Sequence, residues 1–285
     1  LSREKSKSIH TIAVVRDLIP IHSVRSEVLE PGYGYLRIVS FQGDTFKDSL
    51  AAIKEFKDLK GLILDLRNDP GGLLDQSVKV SGLFLWEELV VETKGRIPDQ
   101  NASYRADAPM ALPMSCPVVV LVNEGSASAS EIVAGALQDH KRALVVGAKS
   151  FGKGSVQTIL PMPDGSGLRL TTARFYTPSG KSIQADGITP DILVPSRLPP
   201  DVEILREKDL DRHLTGANEA PKESAPKKAA ENKDGAAEEE FKMPDRPLSE
   251  MPLEERLKFD PQLEKALTLL KTNQVPNKFT QSAKK

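Results

Sequence analysis

The chain has 285 residues, of which 39% are hydrophobic and 5% aromatic, enough for an enzyme core together with less structured segments. Its 39 lysines and arginines balance 40 aspartates and glutamates, so a net charge of −1 provides no general attraction to nucleic acid or anionic membranes. The single cysteine, Cys116, excludes an intramolecular disulfide framework and a multi-cysteine zinc site. No apolar run reaches about 18 residues, so no transmembrane helix is predicted. We expect neither a metal nor a cofactor.

The N-terminal stretch is predicted to be the end of an upstream unit. The chain begins at Leu1 and shows no signal-type segment, so we expect a fragment whose own N-terminus lies further upstream. The run from Ile9 to Val24 is rich in β-branched side chains, and its alternation predicts a strand.

Strand and helix patterns alternate through residues 33–195. The predicted strands are Tyr35–Phe41, Gly61–Arg67, Pro117–Val122, Ala143–Gly147 and the run that starts at Ser155. Helices are predicted from Asp44 or Thr45, where Asp48 completes a capping-box pattern, from about Leu73 to Trp86, and from Ser128 to His140. This order is typical of an α/β fold with a mixed, largely parallel sheet.

The composition changes after Pro195. Residues 215–240 contain no Val, Ile, Leu, Met or aromatic residue, and a segment that buries no apolar surface cannot offset its ordering entropy. We therefore predict an extended, largely disordered linker over residues 197–250. Residues 251–285 are expected to be helical, because Asp260 and Pro261 form a helix start and an apolar face follows, made of Leu263, Ala266, Leu267 and Leu270.

Three serines follow the predicted strand Pro117–Val122. Ser128, between Ser126 and Ser130, lies at the start of a helix after a buried strand, where α/β enzymes expose functional groups. The free N–H groups and the dipole of the first helical turn would stabilise an alkoxide or an oxyanion there. Serine is also a common helix N-cap, so simple capping is the alternative. The run differs from Gly-x-Ser-x-Gly, which excludes the α/β-hydrolase elbow.

A hydroxyl nucleophile needs a base, and the candidate is Lys153 between Gly152 and Gly154. A lysine in an apolar setting loses its proton more readily and serves as the base in known variants of the catalytic triad. A solvated loop lysine is the alternative. A phosphate-binding loop is disfavoured, because Gly154 stands where a hydroxyl residue is required and a strand pattern follows. None of the histidines occupies a glycine-rich turn or a strand-end loop; they are His10, His22, His140 and His213.

The turn Asn68–Gly72 follows another predicted strand. Its glycines, Gly71 and Gly72, allow backbone N–H groups to face an oxyanion and a substrate backbone to approach closely. Ordinary turn chemistry is the alternative, since proline and glycine dominate turns.

Together these motifs closely resemble those of the C-terminal processing peptidases, a serine–lysine protease family also called tail-specific proteases. The resemblance rests on five blocks in the family's order: Asp65–Gly72, Asn123–Glu131, Gly147–Gln157, Tyr176–Gln184 and Gly187–Ile192. It covers residues 9–214 and implies a ClpP/crotonase-like α/β core.

The resemblance also implies roles for individual residues. Ser128 would be the nucleophile, Lys153 its base and Gln157 the residue that orients the lysine. The oxyanion hole would use the backbone N–H groups of Ala129 and of Gly71 or Gly72. The implied activity is that of a serine endopeptidase that cleaves proteins near their C-termini. The alternatives are non-catalytic peptide or ligand binding on the same fold, and an amidase that uses Ser126 or Ser130.

The family usually carries a PDZ domain before the catalytic core, which captures the substrate's C-terminal tail. Residues 1–20 are expected to hold only the remnant of that domain and a connecting strand, and residues 21–196 the peptidase core. The resemblance further implies protein substrates with apolar or unstructured C-terminal tails, and a periplasmic or otherwise extracytoplasmic location. It allows a homo-oligomer or an adaptor protein as a further partner.

Overall fold

The computed structural model describes residues 13, 15, 17, 22–107, 110–197, 204–211, 213–216, 248 and 251–275. Most of the expected PDZ remnant and most of the predicted linker lie outside the described residues. The strands are β1 Val24–Glu30, β2 Tyr33–Ile38, β3 Gly61–Asp65, β4 Leu89–Gly95, β5 Ala102–Arg105, β6 Val118–Val122, β7 Leu144–Gly147, β8 Ser155–Pro161, β9 Gly167–Tyr176 and β10 Ile192–Leu193. The helices are α1 Thr45–Glu55, α2 Leu74–Gly82, α3 Ala129–Asp139, α4 Leu253–Phe259 and α5 Pro261–Lys271.

The strands form two sheets. A six-stranded sheet has the order β1-β2-β3-β6-β7-β10, in which β1 is antiparallel to β2 and every other neighbouring pair is parallel. A second, four-stranded antiparallel sheet has the order β5-β4-β9-β8. The prediction of an α/β fold with a mixed, largely parallel main sheet is therefore confirmed.

Helices cover both faces of the main sheet. Strands β3 and β6 are buried along their whole length, as expected for central parallel strands that read as continuous apolar runs. One face packs with α1, α2 and α3, through side chains such as Leu64 and Val120. The other face packs against α5, through side chains such as Ile63 and Leu121.

The terminal helix α5 begins where the sequence predicts. The Asp260 side chain accepts a hydrogen bond from the Leu263 N–H at 3.0 Å, and Pro261 occupies the first helical position. The predicted apolar face is buried against the sheet, including Leu263 and Leu267. The helix therefore forms part of the core.

Two local predictions are wrong. The capping box at α1 is not formed, because the Asp44 side chain makes no capping bond and the Thr45 hydroxyl accepts the Gln42 N–H at 2.8 Å. Helix α2 ends at Gly82 and not at Trp86, because the chain turns so that Leu83, Phe84 and Leu85 enter the core while Trp86 is exposed. In the described ranges, no helix is long and apolar enough to cross a membrane.

Candidate active site

Two loops meet at the edge of the main sheet where β3 and β6 end. The Asn68 N–H donates to Asn123 Oδ1 at 2.8 Å, and Asn123 Nδ2 donates to Asn68 Oδ1 at 2.9 Å. The Ala127 N–H donates to the Asp69 carbonyl at 2.9 Å. Parallel strands end at a common edge, and these bonds hold the glycine-rich turn against the serine loop.

The outer two serines of the cluster are fully buried and hold the loops together. Ser126 Oγ donates to the Leu66 carbonyl at 2.8 Å and accepts the Asn123 N–H at 3.0 Å. Ser130 Oγ donates to the Asp69 carbonyl at 3.0 Å. Because both hydroxyls are buried and engaged, the geometry disfavours the amidase alternative that used either of them.

Ser128 differs from its neighbours in backbone and in exposure. It is half-buried at the N-cap position of α3, with φ +57° and ψ −111°, a conformation that L-residues rarely adopt. Ser128 and Glu131 form a capping box at this helix start, so the serine serves as an N-cap, but capping alone does not require its unusual backbone conformation. Strained residues of this kind cluster at active sites, where the surrounding structure holds them in place.

The buried carboxylate of Glu131 connects the serine loop to the lysine turn. Its Oε2 accepts the backbone N–H groups of Ser128 at 2.8 Å and Lys153 at 2.9 Å, and its Oε1 accepts the Gly152 N–H at 2.7 Å and Ser150 Oγ at 2.6 Å. Burial raises the pKa of Glu131 to about 7, although these hydrogen bonds oppose the rise. Its position three residues after the helix N-cap is the capping-box signal that could have identified it.

Lys153 is half-buried in the loop between β7 and β8. Since Ser128 and Lys153 donate to the same Glu131 oxygen, their backbone nitrogens lie within about 6 Å of each other. Gln157 is exposed on β8, opposite Thr171. Over the described ranges it forms no hydrogen bond with Lys153, so the structure brings together the serine and the lysine turn but not the glutamine.

Of the two glycines in the turn, Gly71 borders Ser128. It has φ +95°, and a Cβ at this position would lie 2.8 Å from Ser128 Cβ and 2.9 Å from the Ala129 nitrogen, so only glycine fits. Ala129 is the first residue of α3, where N–H groups have no partner within the helix. Gly72 instead packs against the backbone of Phe41.

The N–H of Gly71 is engaged by Asp69. It donates to Asp69 Oδ1 at 2.8 Å, and the carboxyl group is fully buried. The second carboxylate oxygen has no hydrogen-bond partner among the described residues. Burial raises the pKa of Asp69 to about 7. No sequence signal singles out this group beyond its place in the turn.

An ion-pair network anchors the start of the same turn. Arg67 binds Asp65 at 2.7 Å and Asp260 at 2.7 Å, and Asp65 also accepts the Tyr35 hydroxyl at 2.6 Å. Burial alone would raise the pKa of Asp65, but the adjacent Arg67 guanidinium holds it below its usual range. Asp260, the N-cap of α5, thereby connects this helix to Arg67, the residue before Asn68.

Comparison with known proteins shows similarity to proteases that process C-termini. A carboxy-terminal-processing protease of Bartonella bacilliformis is 50% identical over 224 residues, which cover 75% of this chain and 51% of that protein. A carboxyl-terminal-processing protease of Synechocystis is 39% identical over 203 residues, which cover 69% of this chain and 47% of that protein. The chain thus spans about half the length of the curated relatives it matches.

A solved structure and a family model also relate the chain to proteases. A photosystem II D1 C-terminal processing protease superposes with a TM-score of 0.57 and 35% identity, covering 64% of this chain and 50% of that chain. The model of peptidase family S41 matches residues 32–194, which include every motif loop described above. Because that match covers more than half of the residues of this chain, the chain belongs to peptidase family S41.

Proposed function

We propose that the chain is the catalytic part of a serine endopeptidase that cleaves proteins near their C-termini. Ser128 is the nucleophile and Lys153 its general base. The observation that carries the proposal is the strained Ser128 at the start of α3, bound with Lys153 to one buried carboxylate. The names of the two relatives described above, both C-terminal processing proteases, support the substrate class.

The proposed reaction begins when neutral Lys153 removes the proton of Ser128 as Oγ attacks a substrate carbonyl carbon. The oxyanion forms against the N–H groups of Ala129 and Gly71, and each such donor typically contributes about 10²–10³ in rate. Protonated Lys153 then gives its proton to the departing amine as the C–N bond breaks. Water, deprotonated by the same lysine, hydrolyses the acyl-enzyme and restores Ser128.

This reaction requires the N–H of Gly71 to leave Asp69. The glycine is the one that borders Ser128, but its N–H donates to Asp69 Oδ1. A carboxylate at this place would also repel the oxyanion, so the hole is completed when the turn releases Asp69 or when Asp69 is protonated. Gly72 is the alternative donor.

Gln157 is proposed to orient Lys153 only in the substrate-bound state. It starts from an exposed position, the third residue of β8 and the fourth after Lys153, at the bulge between Val156 and Gln157. A substrate strand that covers this edge of the sheet would exclude water from both side chains. We further propose the peptidase core at residues 21–196, a PDZ remnant before it, and an extracytoplasmic location with protein substrates.

The test compares variants on an unstructured protein that ends in apolar residues, with fragments identified by mass spectrometry. Ser128→Ala and Lys153→Ala are expected to abolish cleavage, and Lys153→Arg not to restore it, because arginine keeps its proton. Lys149→Ala, in the same loop and also half-buried, is the matched control and should cleave as the wild type does.

Three outcomes contradict parts of the proposal. Cleavage by Lys153→Ala at the wild-type rate would overturn the base assignment. Equal rates in Gln157→Ala and wild type would remove the orienting role of the glutamine. Binding of the tail without cleavage, by wild type with the upstream domain restored, would favour a non-catalytic peptide-binding protein.

A further inference from the structure

A cavity of about 450 Å³ lies where the edge strand β1 and its neighbour β2 meet α4 and the start of α5. Four arginines line it: Arg25, Arg37, Arg67 and Arg256. We call it the arginine cavity. It is separate from the serine and lysine loops, none of which contributes to its walls.

Among the described residues, only one of the four arginines is fully paired. Arg67 is bound by Asp65 and Asp260. Arg37 lies 3.8 Å from Asp65, a carboxylate that Arg67 binds at 2.7 Å, and its Nη2 donates to the Arg67 carbonyl at 3.4 Å. Arg25 forms no ion pair within the part of the chain that the structure describes. Arg67 therefore pairs with two of the carboxylates near the cavity, Asp65 and Asp260.

The sheet register places two of these charges side by side. Arg25 on β1 is the direct cross-strand partner of Arg37 on β2, so their side chains extend from the same face. Like charges in such pairs are destabilising, and proteins normally place an opposite charge there. An anion bound between the two guanidinium groups would offset this repulsion.

Arg256 closes the opposite wall and is 7% exposed. Its Nη1 binds Glu27 at 2.6 Å, and its guanidinium carbon lies 5.5 Å from the centre of the Tyr35 ring. Its Nε and Nη2 are buried and have no hydrogen-bond partner among the described residues. Buried donors without acceptors are costly, and charged ones more so.

We propose that the arginine cavity binds a phosphate group between Arg25, Arg37 and Arg256. Among the described residues, the four arginines face three carboxylates, those of Glu27, Asp65 and Asp260, which leaves one positive charge uncompensated in that part of the chain. Guanidinium groups bind phosphate through paired N–H donors, and a phosphate dianion has acceptor oxygens for several of them. A single carboxylate carries less charge and has two oxygens only.

The test is isothermal titration of the full chain with inorganic phosphate, glycerol 3-phosphate and citrate, in a non-phosphate buffer at constant ionic strength. We expect saturable binding of inorganic phosphate with one site per chain. Glycerol 3-phosphate distinguishes the two sources of a bound phosphate group. If this ester binds more tightly than inorganic phosphate, the ligand is a phosphorylated metabolite. If the ester does not bind, the ligand is the free ion. Absence of saturable binding of both phosphates, or binding of citrate alone, would overturn the proposal.

Two substitutions of the exposed Arg25 locate the site without disturbing the core. Arg25→Ala should raise the Kd for phosphate about tenfold, the effect of losing one charged hydrogen-bonding partner. Arg25→Glu should abolish binding and raise Tm in the absence of phosphate, because its carboxylate would lie opposite Arg37. Arg169→Ala, an exposed arginine on β9, should bind as the wild type does. Unchanged binding by Arg25→Glu would refute the location, and because the readout is binding, the result does not depend on peptidase activity.

Discussion

Replacing Asp260 by alanine is expected to lower the free energy of unfolding by about 3 kcal/mol. Asp260 accepts hydrogen bonds from Arg67 Nη1 at 2.7 Å and Nη2 at 2.8 Å, and the two side chains are only 10% and 12% exposed. Removing one partner of a buried ion pair costs about 3–5 kcal/mol when the other charge is left alone. Asp65 remains bound to Arg67, so we assign about 2 kcal/mol to the pair. Loss of the cap on Leu263 adds about 1 kcal/mol.

The two contributions can be separated by urea unfolding followed by far-UV circular dichroism. Asp260→Ser keeps a side-chain cap but loses the charge, so it should cost about 2 kcal/mol. Asp75→Ala removes a surface ion pair with Lys79 at 3.5 Å and is the control, with an expected change below about 0.5 kcal/mol. A loss under about 1 kcal/mol for Asp260→Ala would refute the reasoning that α5 is held by this pair.

Two further predictions concern the glycine-rich turn. Gly71→Ala should lower kcat by about 10²-fold or more in a peptide-cleavage assay, since its Cβ would meet Ser128 and the Ala129 nitrogen; Gly180→Ala, also at positive φ but with open space around it, should leave kcat unchanged. Asp69 has a pKa of about 7 when folded and 3.8 as its ordinary value, so the folded state binds the proton more tightly. The free energy of unfolding should therefore fall by up to about 4 kcal/mol as pH rises from about 4 to about 7. In Asp69→Asn, only the part of this pH dependence that other groups contribute should remain. Urea unfolding of both proteins at each pH measures the difference. An equal slope in the two proteins would contradict the assignment to Asp69.

The elements that the sequence predicted are those whose signals are local. Val118–Val122 is an unbroken apolar run because a central parallel strand is buried on both faces. Asp260 and Pro261 predict the start of α5, because the cap and the first turn involve neighbouring residues only. In the same way, the order of glycines and serines placed the candidate nucleophile at the end of a buried strand.

The features that the sequence did not predict depend on contacts between distant residues. The capping box at α1 fails because Thr45 Oγ1 lies 2.7 Å from Ser23 Oγ, which is 22 residues away. The bond from Arg67 to Asp260 spans 193 residues, and no local pattern reports it. Gln157 carries the residue type expected beside the lysine, yet the strand that holds it leaves it exposed. Its role therefore depends on what covers β8, which a local pattern does not contain.

Glu131 shows why the nucleophile is easier to recognise than the groups that support it. A buried carboxylate without a cation is unfavourable, and here it is stabilised by four donors, of which three are backbone N–H groups that any residue supplies. Side-chain identities at those three positions therefore carry no information about the contact. The same bonds help to fix Ser128 in a strained conformation, because its backbone cannot relax without removing one of the four donors from the buried acceptor. The strain at the serine and the buried charge of the glutamate thus depend on each other, and the loop that carries Lys153 is bound to both.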